Sequence, residues 1–409
     1  MGDVTAEDIA RTRAVVAEVA RSTPVLESWT LGERAGGRVV LKAENLQRTG
    51  SFKVRGATAK LAALGPDAAR GVIAGSAGNH AWAVALAARE RGVACEVVMP
   101  PDAPLSKVEG CRSLGATVTI GPAHVDGCVA EARARADVTG AAFIHPFDDP
   151  DVIAGQGSLG LELLEQVPDL SKVIVPVGGG GLISGTAIAV KSARPAVEVV
   201  GVQAAAVAAF PQSLAGGAPQ EVAAGTTIAD GVALKRPGLL TFELVQRWVD
   251  GVVVAQEDDI AEAMVLLAER AKLVVEGAGA VGVAALLTGA VAPARTGTTC
   301  VVLSGGNVDT GLLATITRLH ESRAGRRLVL FTRVPDRPGN LAKLLATVGS
   351  AGGNLLSVDH VREGVELHVR ETGVQLVLET RGRDHADAVV RAINEAGYAT
   401  SVMQGHPSA

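Results

Sequence analysis

Aromatic residues are scarce: one Tyr, three Trp and six Phe in 409 positions. That scarcity argues against a surface on which successive nucleobases stack. No Lys/Arg block interleaves with those few rings, and the net charge is −5, so no nucleic-acid partner is expected. Cysteine is also sparse. Cys95, Cys111, Cys128 and Cys300 form no Cys-x-x-Cys pair, and they read as reduced thiols packed as small apolar residues in a cytoplasmic protein. No secretory signature is present, because "MGDVTAEDIARTRAVVAEVA" has the pattern of a charged amphipathic helix. The two long uncharged stretches, 173–190 and 277–294, are rich in Gly and Ala, contain Pro and lack aromatic anchors. They read as core elements, and no membrane association is expected.

What is present is a large apolar fraction, 48%, against 20% charged residues, in a chain long enough for two or three domains. To about residue 320 short β-rich runs alternate with helix-length runs. The strand candidates are "RVVLKA", "GVIAGS", "CEVVMP", "TVTI", "KVIVPV", "EVVGVQ" and "TTCVVLSGG". Between most of them lie Ala-rich segments such as "NHAWAVALAARERG" and "DIAEAMVLLAERAKLV". The pattern predicts an α/β unit with a parallel sheet covered on both faces, and ligands at the carboxyl ends of its strands. A composition break at "ESRAGRR", 321–327, is followed by a different order. "LVLFTR", "LLSVDHVR", "GVQLVLET" and "YATSVM" read as strands. Leu341, Leu344, Leu345 and Val348, then Ala386, Val389, Val390 and Ile393, each mark one face of a helix. The result is βαββαβ, the ferredoxin-like plan, over 328–403.

Four loops carry residues suited to chemistry. "VPVGGGGLISG" follows an apolar strand and opens a helix, so Gly178, Gly179, Gly180 and Gly181 can turn their amides toward one phosphate. Neither a spaced Gly-x-Gly-x-x-Gly nor a Gly-Lys-Ser/Thr is there, and a tight turn is the plain alternative. "GSAGNHA" starts another helix, where Ser76 and Asn79 either cap it or bind a small polar ligand. His80 by itself reads as structural. Ser304 in "LSGGN" ends a strand and by itself reads as a backbone-bonding serine. Glu276 in "VVEGAGA" reads either as a helix cap or as a site carboxylate. Lys53 in "TGSFKVRGA" stands between Phe52 and Val54, either pointing to solvent or held as a buried amine. A lysine close to a phosphate cradle in an α/β fold suggests covalent attachment of pyridoxal 5'-phosphate.

"KAENLQRTGSFKVRGA", "SAGNHA", "GGGGLISG", "TIADGVA", "VEGAGA" and "LSGGNVD", in this order, resemble the serine/threonine dehydratases of the tryptophan-synthase-like, fold type II pyridoxal-phosphate enzymes. The C-terminal "DRPGNLAKLLATVGSAGGNLLSVDHVR" resembles an ACT domain, an amino-acid-sensing module. The resemblance implies a two-lobed catalytic domain over 1–320, with a small lobe at about 45–154, and an ACT-like domain over 328–403. It implies that Lys53 carries the cofactor covalently, that Phe52 lies against its ring and that Asn79 bonds the ring 3-oxygen. It implies that Gly178, Gly179, Gly180, Gly181 and Leu182 hold the phosphate and that Ser304 faces the ring nitrogen. Ser76, Ala77, Gly78, Asn79 and His80 fall on the loop that receives the substrate carboxylate. Asp336, Gly339 and Asn340 fall on the effector turn. Asn340 has the alternative of simply capping a helix.

The combination implies β-elimination of ammonia from threonine, and also from serine, with a small amino-acid effector and assembly into a homo-oligomer, a dimer or tetramer. Two departures stand out. The family's "GNHAQG" reads "GNHAWA" here, and Trp82 with Ala83 is expected to reshape the pocket. Metal-dependent relatives carry carboxylates near the position of Gln203, and none stands in "AAAVAAF", so no metal is expected. Two other function classes remain to be weighed. A nicotinamide oxidoreductase would leave Lys53 unexplained. A non-catalytic amino-acid sensor would leave Lys53, Asn79 and Ser304 without a role.

Overall fold

The computed structural model describes residues 3–223, 225–363 and 367–403, and the chain divides into two compact units, Met1–Val308 and Asp309–Ala409. The first unit opens with helix Ala6–Val19. A capping box sets its start: Thr5 Oγ1 accepts the Asp8 N–H at 3.2 Å, and the Asp8 carboxylate accepts the Thr5 N–H at 2.8 Å.

Strands β1 (Val25–Glu27) and β2 (Arg38–Ala43) come first. A small sheet follows, built from β3 (Val72–Gly75), β4 (Cys95–Met99), β5 (Thr117–Ile120) and β6 (Ala142–Phe143) in the order β5-β4-β3-β6. The chain then returns with β7 (Leu170–Pro176), β8 (Glu198–Ala204), β9 (Gly251–Ala255) and β10 (Thr298–Leu303) to complete a six-stranded sheet, β1-β2-β10-β7-β8-β9. The interior strands are those with near-continuous apolar runs, because both faces are covered. The expectation of a wholly parallel sheet needs one correction: β1 pairs with β2 antiparallel. It is a three-residue edge strand, half-buried at Val25 and Leu26, and so shows no apolar run.

Stretch 173–190 is most of β7, the glycine loop and most of helix Gly181–Ala193; stretch 277–294 begins with helix Gly277–Leu287. No helix among the described residues is long and apolar enough to cross a membrane. Helices Pro150–Gln166 and Gly181–Ala193 approach closely through glycines. A Cβ on Gly157 would lie 2.9 Å from the Gly185 carbonyl oxygen, and one on Gly160 would lie 2.8 Å from the Ala189 Cβ. Behind them sits a buried charge cluster. Arg55 bonds Glu44 and Glu162, and Lys42 bonds Glu162 at 2.5 Å.

The second unit begins with helix Thr310–Arg323. Then come β11 (Arg327–Pro335), helix Asn340–Ser350, β12 (Asn354–Val361), β13 (Glu371–Glu379), helix Arg383–Glu395 and β14 (Thr400–Val402). All sheet pairings are antiparallel, in the order β12-β13-β11-β14. Leu344, Val348, Ala386, Val389 and Ile393 close the core against Leu330, Val374 and Leu376. At the end of β11, Asp336 pairs with Arg362 at 3.0 Å. Gly339 adopts φ +87° just before the helix. The capping alternative for Asn340 is corrected: Gly339 occupies the N-cap, and Asn340, the first helical residue, sends its side-chain N–H back to the Pro335 carbonyl at 3.2 Å.

Candidate functional site

The ends of β3, β7 and β10 open on one cavity of about 500 Å³ in the first unit. Phe52, Lys53, the segment 76–80, the segment 178–182, Glu276 and Ser304 all line it. Segments far apart in the chain are tied together at its floor. The Phe52 N–H donates to the Ser304 carbonyl at 3.1 Å, and the Gly306 N–H to the Gly50 carbonyl at 2.9 Å. Gly50 has φ +69°, and a Cβ there would lie 2.9 Å from the Asn307 amide carbon, so only glycine permits the two loops to meet.

Lys53 starts helix Lys53–Leu64 and turns its amine inward, donating to the Pro146 carbonyl at 2.8 Å. The amine lies 5.3 Å from the Phe52 ring centroid. Burial pulls its pKa down to about 8, against the opposing charge of Glu276. The solvent-pointing alternative for Lys53 is thereby removed. A larger neutral fraction near physiological pH makes this amine a better nucleophile and base than an exposed lysine.

Among the described residues, the amides of Gly178, Gly179, Gly180, Gly181 and Leu182 have no protein acceptor. They precede or begin helix Gly181–Ala193, whose N-terminus adds a positive field. Gly180 has φ +93°, and a Cβ there would lie 2.8 Å from Phe210 Cζ. One on Gly181 would lie 3.0 Å from the Phe147 carbonyl oxygen. The loop is therefore a backbone-lined cradle with unpaired donors, and a phosphate fits it chemically. With the Lys53 amine in the same cavity, the residues present fit pyridoxal phosphate.

A polar chain crosses the site. Asn307 donates to the Thr49 carbonyl at 2.7 Å and to Asn79 Oδ1 at 2.8 Å, and Asn79 donates to Glu276 Oε1 at 2.7 Å. The capping alternative for Glu276 is corrected: its carboxylate makes no cap bond to helix Gly277–Leu287 and takes the Asn79 N–H. Burial raises its pKa to about 7, with the charge of Asp230 adding to the shift and the Asn79 bond and Lys107 opposing it. Folding therefore takes up a proton at this carboxyl, and stability falls as pH rises through the window from the ordinary Glu value to about 7. Glu276→Gln keeps an acceptor for Asn79 and removes that cost. We expect thermal melts to show it more stable than the parent by about 1–3 kcal/mol near pH 8, with the gap closing towards pH 5.

His80 bonds the Ile144 carbonyl through Nε2 at 3.0 Å. Burial, then the Lys53 charge, drives its pKa down to about 3, which favours a neutral imidazole in a structural role. Ser76 Oγ accepts the Gly78 N–H at 3.1 Å and shapes its loop. Trp82 requires a correction. Its indole is absent from the cavity wall, packs on Gly110 and donates to the Lys107 carbonyl at 2.8 Å. Ala83 is fully buried in the apolar core around helix Asn79–Glu90. At Gln203 the carboxamide oxygen accepts the Phe210 N–H at 2.8 Å. No group of three His, Cys, Asp or Glu side chains placed to hold a metal ion occurs among the described residues. All four cysteines are buried and free.

Reasoning from sequence missed Asn307, Pro146, Lys107, Asp230 and His145. Asn307 lies inside the quoted "LSGGN" and Asp230 inside the quoted "TIADGVA". Pro146, Lys107 and His145 lie in stretches with no glycine-rich strand end to flag them. His145 Nδ1 accepts the Asp148 N–H at 2.8 Å, and burial pushes its pKa down to about 4.

A glycine cradle and an inward lysine at the strand ends of an α/β unit place unpaired backbone donors and a buried amine in one cavity, which suits a cofactor bearing a phosphate and a carbonyl. The family described as "Pyridoxal-phosphate dependent enzyme" matches residues 16–305, and the chain belongs to it. An L-threonine ammonia-lyase of Thermotoga maritima is 44% identical over 401 residues, covering 98% of this chain and 100% of the relative. A solved T.th. threonine deaminase superposes with a TM-score of 0.70 at 43% identity, covering 75% of this chain and 99% of that one. Maize serine racemase superposes with a TM-score of 0.74 at 35% identity, covering 78% of this chain and 99% of that one.

Proposed function

We propose that the protein is a lyase that removes ammonia from L-threonine to give 2-oxobutanoate, and that it takes L-serine as a second substrate, giving pyruvate. The observation that carries this reading is the 44% identity to an L-threonine ammonia-lyase over 98% of the chain, together with an inward Lys53 in the cavity of the glycine loop. When bound, pyridoxal phosphate supplies a conjugated electron sink that acidifies the substrate Cα.

The chain's own residues would do the rest. The amides of Gly178 to Leu182 hold the phosphate. The Lys53 amine would carry the cofactor and would be the base placed to take the Cα proton. The loop of Ser76, Ala77, Gly78, Asn79 and His80 offers amides at the start of helix Asn79–Glu90 to the substrate carboxylate. One side-chain N–H of Asn79 remains beyond its bond to Glu276 and can serve the ring oxygen. Ser304 offers the ring nitrogen a hydroxyl, which cannot keep a proton there as a carboxylate would. That favours prompt elimination over reactions that need a long-lived carbanion. Phe52, which lines the same cavity, would lie against the ring.

We extend the proposal to the second unit as an ACT-like sensor of a branched-chain amino acid, in a homo-oligomer. Asp336, Gly339 and Asn340 would provide a carboxylate, a close backbone approach and an amide at the end of β11. Steady-state release of ammonia and 2-oxo acid from L-threonine and L-serine, with and without isoleucine and valine, tests both parts. Turnover of L-threonine is expected, and an effector shift in KM equivalent to about 1–3 kcal/mol of coupling would be ordinary. Absence of ammonia release sinks the catalytic reading. Absence of any binding or kinetic response to an amino acid sinks the sensing role.

A further inference from the structure

We propose that Lys107 is a specificity-determining residue that binds the carboxylate of the amino-acid substrate, an assignment that rests on the reading above.

Lys107 belongs to helix Leu105–Ser113 of the small lobe and lines the cavity. Its amine would lie 3.6 Å from a Cβ built on Gly78, so it stands directly over the loop of Ser76 to His80. A carboxylate arriving there meets the backbone amides at the start of helix Asn79–Glu90 on one side and this amine on the other.

The amine is also available. Its ion-pair partner, Asp230, is 3.7 Å away and 71% exposed, while the Lys107 side chain is only 16% exposed. Water competes strongly for such a partner, and the pair is longer than a good charge-assisted hydrogen bond. The nearby Glu276 carboxylate is engaged by Asn79. The other cations of the wall are less suited. Lys53 donates to the Pro146 carbonyl, and Lys235 and Arg236 are more exposed than Lys107, so water screens their charge.

The backbone under Lys107 is fixed from both directions. Its N–H donates to the Pro104 carbonyl at 2.9 Å, and its carbonyl accepts the Trp82 indole N–H at 2.8 Å. The indole fits only because position 110 is glycine, since a Cβ there would lie 2.6 Å from indole atoms. Trp82, outside the cavity, is thus a positioning residue that acts through Lys107.

The test uses the holoenzyme and two ligands without a β-leaving group, L-alanine and L-alaninamide, titrated by the change in the visible absorbance of the cofactor. Lys107→Met should weaken L-alanine binding about 10- to 100-fold, the range expected for losing a hydrogen bond between charged groups. Binding of L-alaninamide should change by less than about threefold, because it presents no carboxylate to the missing charge. Where Lys107→Met does not fold, Lys107→Gln gives the same comparison with a neutral polar side chain one atom shorter. Lys107→Arg should keep most of the preference for L-alanine. Unchanged L-alanine binding, or equal weakening of both ligands, overturns the assignment. Because the titration needs no turnover, a parent enzyme that binds L-alanine but releases no ammonia from L-threonine would count against the proposed reaction and leave the Lys107 comparison readable.

Discussion

Lys53→Ala should give a folded, colourless and inactive protein. A covalently held cofactor is expected to absorb at roughly 410–420 nm, and the variant should lack that band. Turnover should fall by about three orders of magnitude or more, because attachment point and base are lost together. Folding should survive. The side chain makes one hydrogen bond, to the Pro146 carbonyl, and Ala is a strong helix former at the start of helix Lys53–Leu64. The burial that drives the amine pKa down to about 8 also means that removing it relieves a desolvation cost. Far-ultraviolet circular dichroism and the melting midpoint should therefore stay close to the parent. A variant with full colour and turnover would end the assignment of Lys53.

The second large effect lies two residues along the same helix and concerns stability. Arg55 is 1% exposed and Glu44 is fully buried. The guanidinium donates to both Glu44 oxygens at 2.8 Å and to the two Glu162 oxygens at 2.6 and 3.0 Å. Arg55→Met leaves Glu44 buried without its contacting cation, which should cost about 3–5 kcal/mol. For a unit spanning Met1–Val308 that corresponds to a fall in melting midpoint of about 5–8 °C.

The pH dependence carries a sign. Burial by itself raises the Glu44 pKa, and the charge and hydrogen bonds of Arg55, helped by the Lys42 charge and the Thr23 hydrogen bond, override it, so the folded value lies below the ordinary one. In the parent, Glu44 therefore contributes stability above its unfolded pKa and loses it as pH falls through the folded value. In Arg55→Met burial prevails and the folded pKa lies above the ordinary value. The deficit should then be larger near pH 8 than near pH 5, and a second change, Glu44→Gln, should recover part of it. Equal deficits at both pH values would show that the loss is one of packing rather than of charge.

The sequence by itself determined the interior strands, the glycine cradle and the βαββαβ order of the second unit. Each is a local property. A strand covered on both faces must be apolar along its length, as "KVIVPV" and "TTCVVL" are. A loop that offers several amides to one anion must be nearly free of Cβ atoms, as 178–181 is. A helix seated on a sheet must repeat its apolar face, as Leu344, Val348, Ala386, Val389 and Ile393 do.

What only the tertiary structure decided are the contacts between residues distant in the chain. Glu276 takes an N–H from Asn79 across 197 positions, a contact that decides between the cap and the site carboxylate that "VVEGAGA" leaves open. The edge strand β1, half-buried and three residues long, pairs antiparallel because its partner is set by the sheet edge rather than by its own pattern. Trp82 looks like a pocket residue from its place beside Asn79, yet the side chain follows the helix surface, where Gly110 leaves room for it. No local pattern in the sequence marks Arg55, Glu44, Glu162 and Lys42 as partners. They neutralise one another only after helix Lys53–Leu64, strand β2 and helix Pro150–Gln166 pack together, because a buried charge is tolerated only when its partners arrive with it.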